Sequence, residues 1–147
     1  MKRQTIILTV ALLACALSAL AFCGKDTPIT FSQLPTTAQQ MIKKQFPNSK
    51  IALAKMENEV FSKSYEVIFT NGDKLEFDGS GNWTSVDCKY TQVPAAIIPP
   101  AIMRYLKAHY PQMKVKEIER NRRYYQVELR NGIDLKFNKK FQLVEID

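Results

Sequence analysis

Two stretches of this chain repeat one pattern, and that repetition constrains the fold more than any other feature of the sequence. Residues 64–78, SYEVIFTNGDKLEFD, align without a gap with residues 124–138, YYQVELRNGIDLKFN. An earlier pair, LPTTAQQMIKKQFP at 34–47 and IPPAIMRYLKAHYP at 98–111, also aligns, with a proline near each end. Only two copies are present, so the pattern indicates a tandem duplication rather than a solenoid, which needs three or more repeats.

The first part of each copy predicts a helix. Its apolar residues recur at helical spacing and mark one face of the helix. A proline near the first turn is tolerated there, because its missing N–H would have no partner in the helix. Pro47 and Pro111 end the two helices, because the residue before a proline avoids the helical region. The apolar positions are Leu34, Ala38, Met41, Ile42 and Phe46, matched by Ile98, Ile102, Tyr105, Leu106 and Tyr110.

The second part of each copy predicts antiparallel strands. Apolar and polar residues alternate on both sides of Asn71-Gly72 and of Asn131-Gly132. Asn-Gly between such runs predicts a β-hairpin with a type I′ turn, in which both central residues have positive φ. A lone hairpin is marginal in water, so the apolar face of these strands requires a helix packed against it.

The sequence therefore predicts an α+β fold, in which a helix plus four-stranded antiparallel unit is duplicated in tandem. The two units form one roughly eight-stranded antiparallel sheet, with both helices packed on one face and the other face open to solvent. We assign the first repeat to residues 22–90 and the second to residues 91–147, as one structural domain over residues 28–147.

The N-terminus predicts export. Lys2 and Arg3 precede an uncharged apolar run, and small residues lead to a cleavage site after Ala21, so residues 1–21 are predicted to be a signal peptide. The run is shorter than the roughly 20 residues that span a bilayer, and cleavage leaves no transmembrane span. We expect a periplasmic or secreted protein. A lipid anchor at Cys23 is a weaker alternative, because the bulky Phe22 precedes it.

Two cysteines, Cys23 and Cys88, remain after signal cleavage. In an oxidising compartment they could form one disulfide that ties the N-terminal segment to the middle of the chain. Two unpaired thiols are the equal alternative.

These features together resemble the PepSY-like family of secreted bacterial proteins. The residues that carry the resemblance are the helix between Pro35 and Pro47, its second copy, and the paired Asn-Gly hairpins. The resemblance covers about residues 28–147 and implies a fold similar to that of the β-lactamase inhibitor protein, together with export. The family supplies no catalytic residues to transfer. The β-lactamase inhibitor protein binds its enzyme through its exposed sheet face, which is an analogy at the level of fold alone.

The sequence shows no catalytic set, so we predict that the protein is not an enzyme. His109 is the only histidine, and no G-x-S-x-G motif is present. A metal site would require several His, Cys or carboxylate residues at fixed spacing, and we predict neither a metal nor a cofactor. The turn from Asp78 to Asn82 lacks the spaced carboxylates of a calcium loop.

Alternation along the predicted strands places Tyr124, Arg130 and Lys136 on the outward side of the second copy. Tyr and Arg side chains anchor many protein interfaces. Trp83, the only tryptophan, follows a glycine turn, and a bulge at Gly81 would decide which face it occupies. We therefore name Trp83, Tyr124, Arg130 and Lys136 as candidate binding residues, with an ordinary solvated sheet face as the alternative.

The leading functional prediction is an exported, non-catalytic binding module that uses the open sheet face for a protein, peptide or glycan partner. Inhibition or chaperoning of a secreted peptidase or β-lactamase-type hydrolase is the alternative. A small hydrolase that uses His109 is a third and weaker hypothesis. The second half of the chain is basic whereas the first is balanced, but export argues against nucleic acid as the partner.

Overall fold

A computed structural model describes residues 26–147. The predicted signal peptide at residues 1–21 and Cys23 lie outside the described residues. Two helices, α1 and α2, and nine strands, β1 to β9, follow one another along the chain. Their bounds are α1 Thr36–Gln45, α2 Pro100–His109, β1 Asp26–Pro28, β2 Ile51–Asn58, β3 Lys63–Phe69, β4 Lys74–Asp78, β5 Trp83–Asp87, β6 Val115–Arg120, β7 Tyr124–Leu129, β8 Asp134–Asn138 and β9 Leu143–Ile146.

All nine strands form one antiparallel sheet in chain order, from β1 at one edge to β9 at the other. The predicted α+β fold class is confirmed, with nine strands in place of roughly eight. The additional strand, β1, pairs with β2 at the edge of the first unit. It was missed because three residues that end in Pro28 carry no alternation to detect.

Both helices lie against one face of the sheet. Proline stands immediately before α1, at Pro35, and at the first residue of α2, and each helix ends before the prolines at 47 and 111. Buried helix residues share one core with the alternate, inward residues of the strands. That core includes Ala38, Ile42, Ile102, Leu106, Tyr65, Val67, Phe69, Leu75, Phe77, Val86, Ile118, Val127, Leu129, Leu135 and Phe137.

The Asn-Gly hairpins form as predicted, but the predicted turn type is wrong. A type I′ turn requires positive φ at both Asn71 and Gly72. Gly72 has φ of 89°, but Asn71 does not have a positive φ. Gly72 donates to the carbonyl of Phe69, and Phe69 donates to the carbonyl of Asp73. This is a three-residue loop with a glycine in the left-handed region. The corresponding loop at Gly132 has the same bonds and a φ of 86°.

The two units meet where β5 of the first pairs with β6 of the second. The pairs across this junction are Ser85 with Glu119, Val86 with Ile118, and Asp87 with Glu117. Val86 and Ile118 point into the core and are fully buried. Alternation therefore directs Ser85, Asp87, Glu117 and Glu119 to the other face of the sheet.

Candidate binding face

The sheet face opposite the helices, here called the open face, carries a polar and charged surface crossed by ion pairs. Lys55 contacts Asp26 at 2.9 Å, Glu57 at 3.1 Å and Glu66 at 3.2 Å. These partners raise the pKa of Lys55, with the largest effect from Asp26. The remaining pairs are Lys74 with Glu76 and Glu66, Lys116 with Glu128, and Lys136 with Glu145.

At the middle of the open face three carboxylates, Asp87, Glu117 and Glu119, form what we call the acidic seam. Asp87 lies directly across from Glu117 on the neighbouring strand. Burial, reinforced by the charges of Asp87 and Glu119, raises the pKa of Glu117 to about 7. The Ser85 hydroxyl donates to Glu117 Oε1 at 3.2 Å and opposes that rise.

The Asp87 carboxylate is incompletely paired. Its Oδ1 atom is buried and has no hydrogen-bond partner among the described residues. Leaving a buried acceptor without a donor costs about 1–3 kcal/mol. The acidic seam therefore contains a carboxylate oxygen that no donor among the described residues satisfies.

Tyr124 and Lys136, two of the predicted binding residues, come together on the open face. The Lys136 ammonium lies 5.4 Å from the centre of the Tyr124 ring, at a distance where a cation–π attraction operates. Lys136 also pairs with Glu145 of β9, and this bond is the main cause that raises the pKa of Lys136. All three side chains are partly accessible.

The third predicted residue, Arg130, forms hydrogen bonds within the fold. Its guanidinium donates to the backbone carbonyls of Lys89 at 2.8 Å and Cys88 at 3.1 Å, and also to that of Thr91. These residues belong to the connection between the two units. From the other side, the Thr91 hydroxyl donates to the buried Asp73 carboxylate at 2.6 Å. Arg130 and Asp73 therefore clamp this connection between them.

Trp83, the fourth candidate, whose face the sequence left open, packs against the core on the side of the helices. It is cross-strand partner to Phe77, a fully buried core residue, and a register shift of β4 against β5 lies next to this pair. The guanidinium of Arg120 stacks 3.9 Å from the centre of the indole ring and donates to the Trp83 carbonyl at 2.7 Å. A bulge beside this pair, rather than one at Gly81, therefore turns Trp83 toward the core.

Cys88 is fully buried, and burial raises the pKa of its thiol to about 11. Its predicted partner, Cys23, lies outside the described residues, so the disulfide stays a prediction. His109 stacks on Tyr105 with ring centres 4.1 Å apart, and its Nδ1 lies 3.0 Å from the Tyr105 carbonyl. These contacts hold the imidazole against its own helix.

Two exposed features escaped the sequence reasoning. Val60 and Phe61, in the loop between β2 and β3, are 74% and 99% exposed. This loop is an insertion in the first copy, because the two copies lie 64 residues apart before it and 60 residues apart after it. An apolar pair inside an insertion is itself a detectable signal. The acidic seam was missed because its carboxylates come from strands in different units, whose pairing no local pattern reveals.

Further structural findings concern metals and membranes. Within residues 26–147 no group of three or more His, Cys, Asp or Glu side chains is arranged to hold a metal ion. The Asp78 carboxylate instead accepts the backbone N–H groups of Ser80 and Asn82, both at 2.9 Å. None of the described helices is both long and apolar enough to cross a bilayer.

Comparison with known proteins places this geometry in a family. A family model described as "Putative beta-lactamase-inhibitor-like, PepSY-like" matches residues 22–60 and 63–145. The search of curated proteins finds no match.

Three solved structures from Bacteroides are similar over nearly their whole length. A periplasmic protein of the DUF2874 family from Bacteroides vulgatus is 52% identical, with a TM-score of 0.83 over 85% of this chain and 98% of that one. A protein from Bacteroides thetaiotaomicron, described as calcium-regulated and periplasmic, is 56% identical, with a TM-score of 0.81 over 83% and 96%. A second B. vulgatus periplasmic protein, of unknown function, is 37% identical, with a TM-score of 0.79 over 83% and 98%. The prediction of an exported protein is confirmed by these periplasmic relatives.

Proposed function

The chain belongs to the PepSY-like family, and from that premise we propose that it is a non-catalytic periplasmic binding module. It uses the open face of its sheet to engage a protein, peptide or glycan partner. The observation that carries the proposal is the acidic seam at the centre of that face, where Asp87, Glu117 and Glu119 lie close together on neighbouring strands. A cationic group of the partner placed beside these carboxylates would relieve the repulsion between Asp87 and Glu117.

The composition of the open face supports binding of a specific partner more than non-specific charge attraction. Most of its lysines already pair with neighbouring carboxylates, as Lys55 does with Glu66 and Lys116 with Glu128. Such pairs fix side-chain positions and contribute orientation and selectivity more than raw affinity. The Tyr124 ring adds an aromatic contact beside them.

Site-specific photo-crosslinking in the periplasm tests this proposal. A photoreactive residue at Gln126, which lies between Glu119 and Lys136 in the sheet, reports on the open face. The same residue at Lys44, exposed on α1, is the matched control on the helix side. We expect a discrete adduct from position 126 that Asp87→Ala combined with Tyr124→Ala abolishes. Equal adducts from both positions, or adducts from position 44 alone, would reject the open face.

Inhibition or chaperoning of a hydrolase is the second candidate function. Its support is the family's description as β-lactamase-inhibitor-like. The purified protein should then slow at least one β-lactamase or periplasmic peptidase at micromolar concentration, and Asp87→Ala should weaken that effect. A panel without inhibition would leave the binding module and remove this candidate.

A role for calcium is suggested only by the description of one relative as calcium-regulated. The donor set of this chain does not fit such an ion, since no described group of three or more potential ligands is arranged to hold a metal. We therefore assign no calcium site.

A further inference from the structure

We propose that the outer edge of β9 is a second docking site, which takes an extended basic–aliphatic–basic segment of a partner protein by strand addition. The Ile146 side chain and the free backbone groups of this site lie at the edge of the sheet and outside the open face, whereas Glu145 also pairs with Lys136 on that face. The two units are related by internal symmetry, so β5 of the first unit corresponds to β9 of the second. The strand that pairs with β5 therefore indicates what the outer edge of β9 can bind.

Strand β9 repeats β5 residue by residue. In the first unit Leu75 pairs with Val86, Glu76 with Ser85, and Phe77 with Trp83, with a register shift after Glu76. In the second unit the pairs are Leu135 with Ile146, Lys136 with Glu145, and Phe137 with Leu143, with a shift after Lys136. The two strands therefore present the same geometry to whatever lies on their outer side.

The outer sides of these strands are occupied differently. Strand β5 is covered by β6, whose Ile118 lies opposite Val86, and both residues are fully buried. No strand within residues 26–147 pairs with the outer side of β9. Ile146, which stands in the position of Val86, is 52% exposed, and the neighbouring Val144 is 57% exposed. The aliphatic side chain of Ile146 is thus exposed, whereas the equivalent side chain of the first unit, Val86, is buried.

The backbone of β9 is directed to accept a strand. Asp147 exchanges both of its backbone hydrogen bonds with Asp134 of β8, at 3.0 and 2.8 Å. In an antiparallel ladder the next residue, Ile146, therefore points its N–H and C=O away from β8. Unpaired groups of this kind are a template for β-strand addition. The opposite edge differs, because β1 has only three residues and ends in Pro28, which has no N–H to donate.

Charge selects the class of occupant. Glu145 and Asp147 flank Ile146, so an incoming antiparallel strand would place one residue opposite each carboxylate and one opposite the aliphatic side chain. Opposite charges directly across from each other stabilise the pairing of two strands, and like charges destabilise it. A second copy of β9 centred on Ile146 would set Glu145 against Asp147 of its neighbour. The complementary sequence is therefore Lys or Arg, then Val or Ile, then Lys or Arg.

A titration followed by amide NMR tests this inference on the mature protein. The probe is an acetylated and amidated peptide, Thr-Thr-Lys-Ile-Lys-Thr-Thr, and the control is the same peptide with its backbone nitrogens methylated on alternate residues. We expect the first peptide to shift the Ile146 amide and slow its hydrogen exchange. Methylation should weaken binding about tenfold, since the control cannot form the strand ladder. Equal binding of both peptides would show charge attraction alone and would overturn the proposal.

Two variants separate the backbone contribution from the charge contribution. Ile146→Pro removes an N–H that β8 does not use, so we expect the wild-type melting temperature within a few degrees and peptide binding about tenfold weaker. Asp147→Lys keeps the backbone and is expected to weaken binding by about threefold. Should Ile146→Pro fail to fold, Asp147→Lys decides, and unchanged binding in it would reject the site. Tyr124→Ala, on the open face, should leave peptide binding unchanged, so the two proposed surfaces can fail separately.

Discussion

Replacing Glu117 with Gln should stabilise the protein at alkaline pH and leave it nearly unchanged at acidic pH. The cause is the acidic seam, where burial and the facing charges of Asp87 and Glu119 raise the pKa of Glu117 from its ordinary 4.5 to about 7. Because the folded state disfavours the charged form, the cost is absent below pH 4.5. It grows as the pH rises from 4.5 to about 7 and is complete above about 7.

The size of this effect follows from the shift. Each pKa unit corresponds to about 1.4 kcal/mol, which gives an upper limit of about 3 kcal/mol for Glu117. The side chain is partly accessible, and solvent screening reduces this figure to about 1–2 kcal/mol. Gln keeps the size of Glu and an oxygen that can accept the Ser85 hydroxyl, so it removes the charge with little change in packing.

Urea denaturation of wild type and Glu117→Gln at pH 5 and pH 8 measures the difference directly. Trp83 is the only tryptophan and packs against the core, so its fluorescence reports unfolding. We expect the variant to gain about 1–2 kcal/mol over wild type at pH 8 and under 0.5 kcal/mol at pH 5. Titrating groups away from the acidic seam act alike on both proteins and cancel. Parallel pH curves, or a variant that is less stable at pH 8, would refute the reasoning about the seam.

Two further predictions concern positions where the two units differ, and both are read from the same urea denaturation. Arg130→Ala should lower the free energy of unfolding by about 1–2 kcal/mol, because the backbone carbonyls of the connection between the units lose their donor. Arg130→Lys should recover under half of that loss, because one ammonium group cannot reach all of these carbonyls. An unchanged stability in Arg130→Ala would show that the clamp is not needed. Gly81→Ala should cost about 2–4 kcal/mol, because its Cβ would lie 2.6 Å from Pro35 Cβ in addition to the unfavourable φ of 84°. Gly132→Ala is the matched control, since it has φ of 86° with no atom within 4 Å, and should cost about 1 kcal/mol; equal losses in the two would contradict the steric argument.

The sequence predicted the fold well because its strongest signals are local and repeated. Alternation around Asn-Gly and helical spacing between prolines both depend on neighbours in the chain, and a duplication shows each signal twice. It predicted the candidate site less well because sites depend on contacts between distant residues. Tyr124 and Lys136 lie on adjacent strands of one hairpin, so local alternation is enough to predict that they share a face. Trp83 depended on a bulge whose position no local pattern fixes, and Arg130 reaches carbonyls about forty residues away.

The differences between the two units show where the duplicated scaffold has specialised. Asp73 is buried and holds the connection, whereas its counterpart in the second unit is Ile133, which packs at the core. Gly81 allows the start of α1 to approach its turn closely, whereas the same position in the second unit holds Phe141 at φ of 61°, with its ring against Tyr125. A left-handed turn without glycine is uncommon. Shared positions therefore maintain the sheet, and the unshared ones join the two units and shape the β9 end of the molecule.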